Sequence, residues 1–311
     1  MSKIKDPTFG GTWPYEPRWF ETDAGRIHYI DEGDRAGRPI VMVHGNPTWG
    51  YLYRNFVDPM VAAGHRVIVP DHLGFGLSEK PSNPDVLHVP DHAARLDALL
   101  ESLDLQGAVV VCQDWGGPIS LHWATQHPER VAGLFILNTF AHAIDPATLP
   151  EGSNEVPLPL PLRLFRTPGV GEVMVKGLDM FKRAFLFRQG VTKPERLTSE
   201  IKRAYTSVHS GWSERTGILV FPRDIPVRPG GPVDQLNAAT EAGLETHFRG
   251  KPAHICWAMK DPAFLPEYLD TLWLKTLPDA GVTRLPDAGH YLQEDAHELI
   301  VPELERFVAA L

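Results

Sequence analysis

The chain has 311 residues, 43% hydrophobic and 22% charged, the composition of an ordinary globular protein. Its net charge of −9 argues against nucleic acid and anionic membrane as partners. The length fits one large α/β domain carrying an insertion, or two domains.

In chain order, Arg18 to Thr22 and Ile27 to Asp31 read as a hairpin about Asp23-Ala24-Gly25. Ile40 to Val43 is a short apolar strand ending at His44-Gly45, and Trp49 to Ala63 reads as a helix stopped by Gly64. Arg66 to Pro70 is the next strand, followed by the loop Asp71-His72-Leu73-Gly74-Phe75-Gly76-Leu77-Ser78. Val89 to Leu103 is helical, with Leu96, Leu99, Leu100 and Leu103 on one face. A β-branched run, Val109-Val110-Val111, opens the next strand, a helix follows from Pro118 to His127, and Val131 to Leu137 is a further strand.

Strand signals then stop over residues 142–226. Val156-Pro157-Leu158-Pro159-Leu160-Pro161-Leu162 cannot be a paired central strand. Helices are expected over 170–176, 178–187 and 198–208, with apolar and aromatic residues clustered at Phe165, Met180, Phe181, Phe185, Phe187, Trp212 and Phe221. Strands resume at Pro252 to Trp257 and Val282 to Leu285, and Ala296 to Leu311 is a closing helix. Alternating strands and helices imply a mostly parallel sheet covered on both faces. The expected organisation is a core in two parts, 1–141 and 227–311, with 142–226 inserted as a helical cap roofing a site with apolar side chains. Cys112 and Cys256 lie in apolar runs and read as buried reduced thiols. The polar start Met1 to Pro7 lacks an apolar leader core, and no apolar run approaches a membrane span, so the expected location is the cytoplasm.

The chemistry concentrates at Gln113-Asp114-Trp115-Gly116-Gly117, where a strand, a sharp turn and a helix meet. In α/β-hydrolases such a turn lifts the nucleophile above the sheet. Here the apex is Asp114, a carboxylate ionised at neutral pH and suited to displacement at saturated carbon. The bland alternative is that Asp114 only caps the following helix. His44-Gly45-Asn46-Pro47-Thr48-Trp49 supplies the other half of an oxyanion hole, which assigns the backbone N–H groups of Asn46 and Trp115. Their side chains add two neutral N–H donors, suited to a weakly hydrated anion such as halide. His290, in Asp287-Ala288-Gly289-His290 after the last strand, is the candidate base, and most of the other histidines read as surface residues. Two positions can hold an acid. Asn138 occupies the first without charge, so Asp261 is preferred, with Asp145 and Asp287 as alternatives.

Taken together, His44 to Trp49, Asp71 to Ser78, Gln113 to Gly117, Trp257 to Phe264, Asp287 to Asp295 and the stretch Gly217 to Arg223 resemble a haloalkane dehalogenase, from Arg18 to the last helix. The pattern is closest to the third subfamily, with an Asn and Trp halide pair. Another subfamily takes its second halide donor from a cap Trp. Met180 to Gly190 contains none, so the halide site carries over only to Asn46 and Trp115. The resemblance implies attack of Asp114 on a small apolar halogenated substrate, then hydrolysis of the ester by water activated by His290 and Asp261. It implies no metal or organic cofactor. It leaves oligomeric state, preferred halogen and chain length open. The rival readings are an epoxide hydrolase and a weakly active or non-hydrolytic binding protein on the same fold. Epoxide opening needs proton donors, typically two cap tyrosines, and Tyr205 is the one Tyr in residues 142–226.

Overall fold

A computed structural model describes Ile4 and residues 6–311. The polar start read above lies largely outside the described residues. Eight strands form one sheet: β1 (Arg18–Thr22), β2 (Gly25–Glu32), β3 (Pro39–Val43), β4 (Arg66–Pro70), β5 (Ala108–Asp114), β6 (Val131–Thr139), β7 (Ala253–Ala258) and β8 (Gly281–Leu285). Their order is β1-β2-β4-β3-β5-β6-β7-β8. β1 and β2 pair antiparallel, as does β2 with β4, and every other pairing is parallel. The fold is that of an α/β-hydrolase.

The central strands β3, β4 and β5 are buried along their whole length, which is why they read as unbroken apolar runs rather than as alternation. Alternate side chains feed two cores. Ile40, Met42, Val67, Val69, Val109 and Val111 face one, with Phe56 and Met60 of α1 (Arg54–Ala62) and Ile300 and Leu304 of the C-terminal helix Leu292–Ala309. Val41, Val43, Ile68, Val110 and Cys112 face the other, with Leu96 and Leu100 of α2 (Val89–Ser102), Ile119 and Trp123 of α3 (Gly116–Gln126) and Leu244 farther along. Cys112 and Cys256 are buried free thiols, as expected.

Between β6 and β7 the described residues form no strand. They form α4 (Leu160–Arg166), helical segments over Glu172–Gly177 and Phe181–Gln189, α5 (Ser199–Ser207), α6 (Thr216–Asp224) and α7 (Pro232–His247). The two unlabelled segments are π-type, with Leu178 N–H on Val173 O at 2.9 Å and Gly190 N–H on Phe185 O at 2.6 Å. Two expectations change here. Trp212 is half exposed and stacks under Lys176 rather than joining the aromatic cluster. α7 has no counterpart among the expected helices. Its buried residues are Val233, Asp234, Leu236, Asn237, Thr240 and Leu244, and the three polar members blur the helical period.

The second half of this helical region is tied firmly to the core. Arg54 makes a two-pronged ion pair with Glu294, 2.6 Å on each side, and Tyr205 O–H donates to the same carboxylate at 2.5 Å. Trp49 Nε1 donates to Ala204 O at 3.2 Å, and Asp295 accepts from the N–H groups of Thr192 and Lys193.

Candidate active site

The carboxyl ends of β3, β5, β6 and β7 lie side by side, the place where open α/β sheets collect their ligand-binding residues. Asp114 ends β5 and α3 starts two residues later, so the chain must reverse within a single residue. Asp114 takes a φ of +52°, a left-handed conformation uncommon for residues other than Gly. Close packing around it demands glycine. A Cβ on Gly45 would fall 2.2 Å from Asp114 Oδ1, one on Gly116 would fall 2.1 Å from Val43 O, and one on Gly117 would fall 1.9 Å from Thr139 Oγ1. Thr139 Oγ1 donates to the Asp114 carbonyl, pinning the turn from β6.

The Asp114 carboxylate faces two ways. Oδ1 accepts the Asn46 N–H at 2.7 Å, and the Trp115 backbone N–H bonds the same carboxylate. Oδ2 lies 3.6 Å from His290 Nε2. Burial pushes the Asp114 carboxyl up, against the nearby His290 and the two N–H groups. A role as helix cap does not describe it, because its side chain points at the Asn46 loop and the imidazole.

His290 sits just before the C-terminal helix, fully enclosed. Its Nδ1 is 3.0 Å from Asp261 Oδ2, in the loop after β7. Burial alone pulls the imidazole toward its neutral form. The charge of Asp261, their hydrogen bond and Asp114 outweigh that and raise its proton affinity above the ordinary value. Asp261 is itself held: Oδ1 accepts from the N–H groups of Ala263 at 2.7 Å and Phe264 at 3.1 Å. The two alternative acids lie elsewhere. Asp145 caps a short turn through Ala147 N–H, and Asp287 is exposed and paired with Lys260.

The side chains of Asn46 and Trp115 both meet α6. Asn46 Nδ2 donates to Ile218 O of α6 at 3.3 Å, which leaves its second N–H uncommitted. The indole of Trp115 packs between Phe140 and Phe221, with centroids at 5.1 and 5.3 Å. Phe185 and Phe264 lie 5.3 and 5.5 Å from the His290 ring. The walls around the carboxylate and imidazole are therefore mostly aromatic.

Sequence reading gave no role to three participants, although it set Asn138 at the uncharged acid position. Gln113 donates to His290 from inside the sheet, Asn138 bonds Asp261, and Phe264 stacks on His290. Only the position of Gln113 next to Asp114 hinted at its place. The expectation that most of the other histidines are surface residues holds only narrowly, because His28, His44, His72, His92, His142 and His209 are buried. One grouping among the described residues has metal-ligand chemistry, Asp97, Glu101 and His127. Its carboxylates already pair with His127 and Arg130, and it does not touch the site described above.

A sequence profile described as the α/β-hydrolase fold matches residues 38–168. Over 297 residues the chain is 36% identical to a cis-3-alkyl-4-alkyloxetan-2-one decarboxylase of Shewanella oneidensis, covering 95% of this chain and 89% of that protein. It is 34% identical to haloalkane dehalogenase 2 of Mycobacterium tuberculosis, covering 95% and 96%. The chain belongs to the α/β-hydrolase family. Among solved structures this hydrolase is similar to the haloalkane dehalogenase DbeA from Bradyrhizobium elkani, with a TM-score of 0.81, 28% identity and coverage of 95% and 98%. The relatives are thus named for two different activities.

Proposed function

We propose that this α/β-hydrolase is a haloalkane dehalogenase, converting small apolar haloalkanes and water to alcohol, halide and a proton through an alkyl ester on Asp114. The observation that carries this reading is the alignment of Asp114 Oδ2, His290 Nε2 at 3.6 Å, and Asp261 at 3.0 Å on the far side of the same ring. Oδ1 already accepts the Asn46 N–H, so Oδ2, on the His290 side, is the oxygen assigned to attack the carbon bearing halogen. The Asn46 amide and the Trp115 indole N–H receive the departing halide, where preorganised donors act on charge that develops only in the transition state. No base is needed for this step.

In the second step His290 takes a proton from water, which attacks the ester carbonyl carbon of Asp114. Oδ1 is then the carbonyl oxygen, and it gathers negative charge beside the Asn46 N–H that it already accepts, with the Trp115 backbone N–H on the same carboxyl. Asp261 balances the imidazolium. Residues 142–226 act as the cap, between core parts 1–141 and 227–311, and supply Phe185 and Phe221 to the walls. No cofactor or metal enters this scheme, and two buried free thiols suit a cytoplasmic setting.

A second reading follows from the relatives named as oxetanone decarboxylases, at 36% and 33% identity. The same carboxylate can open a four-membered lactone by attacking the ring carbon that bears the ring oxygen. The leaving group is then a carboxylate that stays tethered. Loss of carbon dioxide from it forms the alkene as the Asp114 ester bond breaks, and no water is consumed. An epoxide hydrolase is less well served, because the Tyr205 hydroxyl is committed to Glu294.

One experiment separates these. Purified protein is given 1-bromo- and 1-chloroalkanes with halide detection, and a cis-3,4-dialkyl oxetan-2-one with detection of carbon dioxide and alkene. Halide release with a matching yield of alcohol supports the dehalogenase. Turnover of the lactone alone replaces it with the decarboxylase.

A further inference from the structure

Gln113, directly before Asp114, is buried completely, and its side chain turns toward the base rather than the nucleophile. Nε2 lies 3.1 Å from the backbone carbonyl of His290 and 3.2 Å from His290 Nε2. The carbonyl can only accept, which fixes the amide with its NH2 group toward His290. The reversed amide would set two oxygens against each other. On the other side of the ring, Nδ1 faces the Asp261 carboxylate and must carry a proton. Nε2 of the neutral ring is therefore an acceptor, and the Gln113 amide donates to it. The other groups around the ring are Asp114, the phenol of Tyr291, whose O–H donates to Asn46 O, and the uncharged Phe185 and Phe264.

We propose that Gln113 is a positioning residue for His290: its amide locks the Nδ1–H tautomer and disfavours the imidazolium. Once Nε2 gains a proton, that N–H meets an amide donor and the hydrogen bond is lost. Gln113 thus opposes Asp261. The carboxylate makes His290 a stronger base, while the amide keeps the resting ring neutral and ready to accept. This inference rests on the reading of His290 as the hydrolytic base.

The test uses single-turnover ester hydrolysis after a 1-bromoalkane pulse, followed across pH in wild type, Gln113→Met and Gln113→Glu. The halide burst needs Asp114 but no base and reports that each variant is folded. Met removes the donor at similar volume. One hydrogen bond, about 0.5–1.5 kcal/mol, moves the acid limb of hydrolysis up by roughly 0.5–1 pH unit. Ionised Glu accepts from the imidazolium and moves the limb further in the same direction. A limb unmoved in both variants, with hydrolysis slowed equally at every pH, overturns the proposal and leaves Gln113 a packing residue. Nitrogen NMR of wild-type His290 is an independent measurement of the tautomer. A neutral ring protonated at Nδ1 is expected, and one protonated at Nε2 overturns the proposal. The parent reading fails separately, if His290→Phe collects no alkyl group on Asp114.

Discussion

Asn138 Nδ2 donates to Asp261 Oδ2 at 3.0 Å, the same oxygen that accepts from His290. Asn138 also spans β6 and β7, accepting the Ala258 N–H at 2.6 Å and donating to the Ala258 carbonyl at 3.2 Å. The two positions where this fold can place an acid are thus joined. The uncharged one fixes the rotamer of the charged one.

Asp261→Asn keeps the shape but removes the charge facing the imidazolium. Ester formation is expected to persist while hydrolysis slows on the order of 10⁴-fold, the scale seen when a triad carboxylate is made an amide. Asn138→Ala is expected to slow hydrolysis about 10-fold, since one hydrogen bond to a charged group is lost while Ala263 and Phe264 still hold Asp261. Rapid-quench measurement of ester decay ranks the two. If Asp261→Asn decays at the wild-type rate, the acid is misassigned.

His290→Phe is expected to stop after the first step. Intact-protein mass spectrometry after exposure to a 1-bromoalkane should show one alkyl group, and peptide mapping should place it on Asp114. Because Asp261 raises the proton affinity of the ring, wild-type hydrolysis should lose rate as pH falls through the titration of His290. Catalytic halide release by the variant without a trapped ester would remove Asp114 as nucleophile.

Trp115→Phe deletes one donor and keeps most of the ring surface between Phe140 and Phe221. The loss of one preorganised donor is worth about 2.7–4 kcal/mol, or 10²- to 10³-fold in the alkylation rate. Chloride, the poorer leaving group, should suffer more than bromide. Burst rates for matched chloro- and bromoalkanes measure this, and equal rates in variant and wild type would mean the indole N–H does not meet halide.

Stability should fall in acid through buried histidines that take no part in the proposed chemistry. His44, His72, His92 and His209 are fully enclosed, and burial holds each below the ordinary imidazole value of 6.5, His92 at about 3. The unfolded chain binds protons on these rings below pH 6.5 while the folded chain does not. Each ring therefore costs up to about 1.4 kcal/mol per pH unit over that window. Calorimetric melts from pH 7 to pH 4 should show Tm dropping with proton uptake on unfolding. A flat Tm between pH 6.5 and 4.5 would contradict the buried neutral state.

Much of the site was legible because its parts carry strong local signals. A β-branched strand broken by Asp-Trp-Gly-Gly fits few local structures besides a strand turning sharply into a helix, and His290 and Asp261 each follow a strand that reads clearly. The buried histidines were not legible, since a lone His in a polar loop looks the same in sequence whether it is enclosed or wet. Gln113, Asn138 and Phe264 act across strands, and contacts of that kind have no period along the chain. α7 was lost because Asn237 and Thr240 sit where leucines would have marked the buried stripe.

Asn46 uses three of its groups on three different neighbours. Its N–H holds the Asp114 carboxylate, its carbonyl accepts from Tyr291 O–H, and its side-chain amide reaches Ile218 of α6. On the dehalogenase reading, this makes halide affinity and the seating of α6 thermodynamically linked, and such linkage is reciprocal. An anion that draws the amide away from Ile218 loosens α6, and by the same factor the loosened α6 binds the anion more tightly. Hydrogen exchange of residues 216–224, followed with and without bromide, reads that coupling directly. The product ion would then help release the lid that confined its own departure.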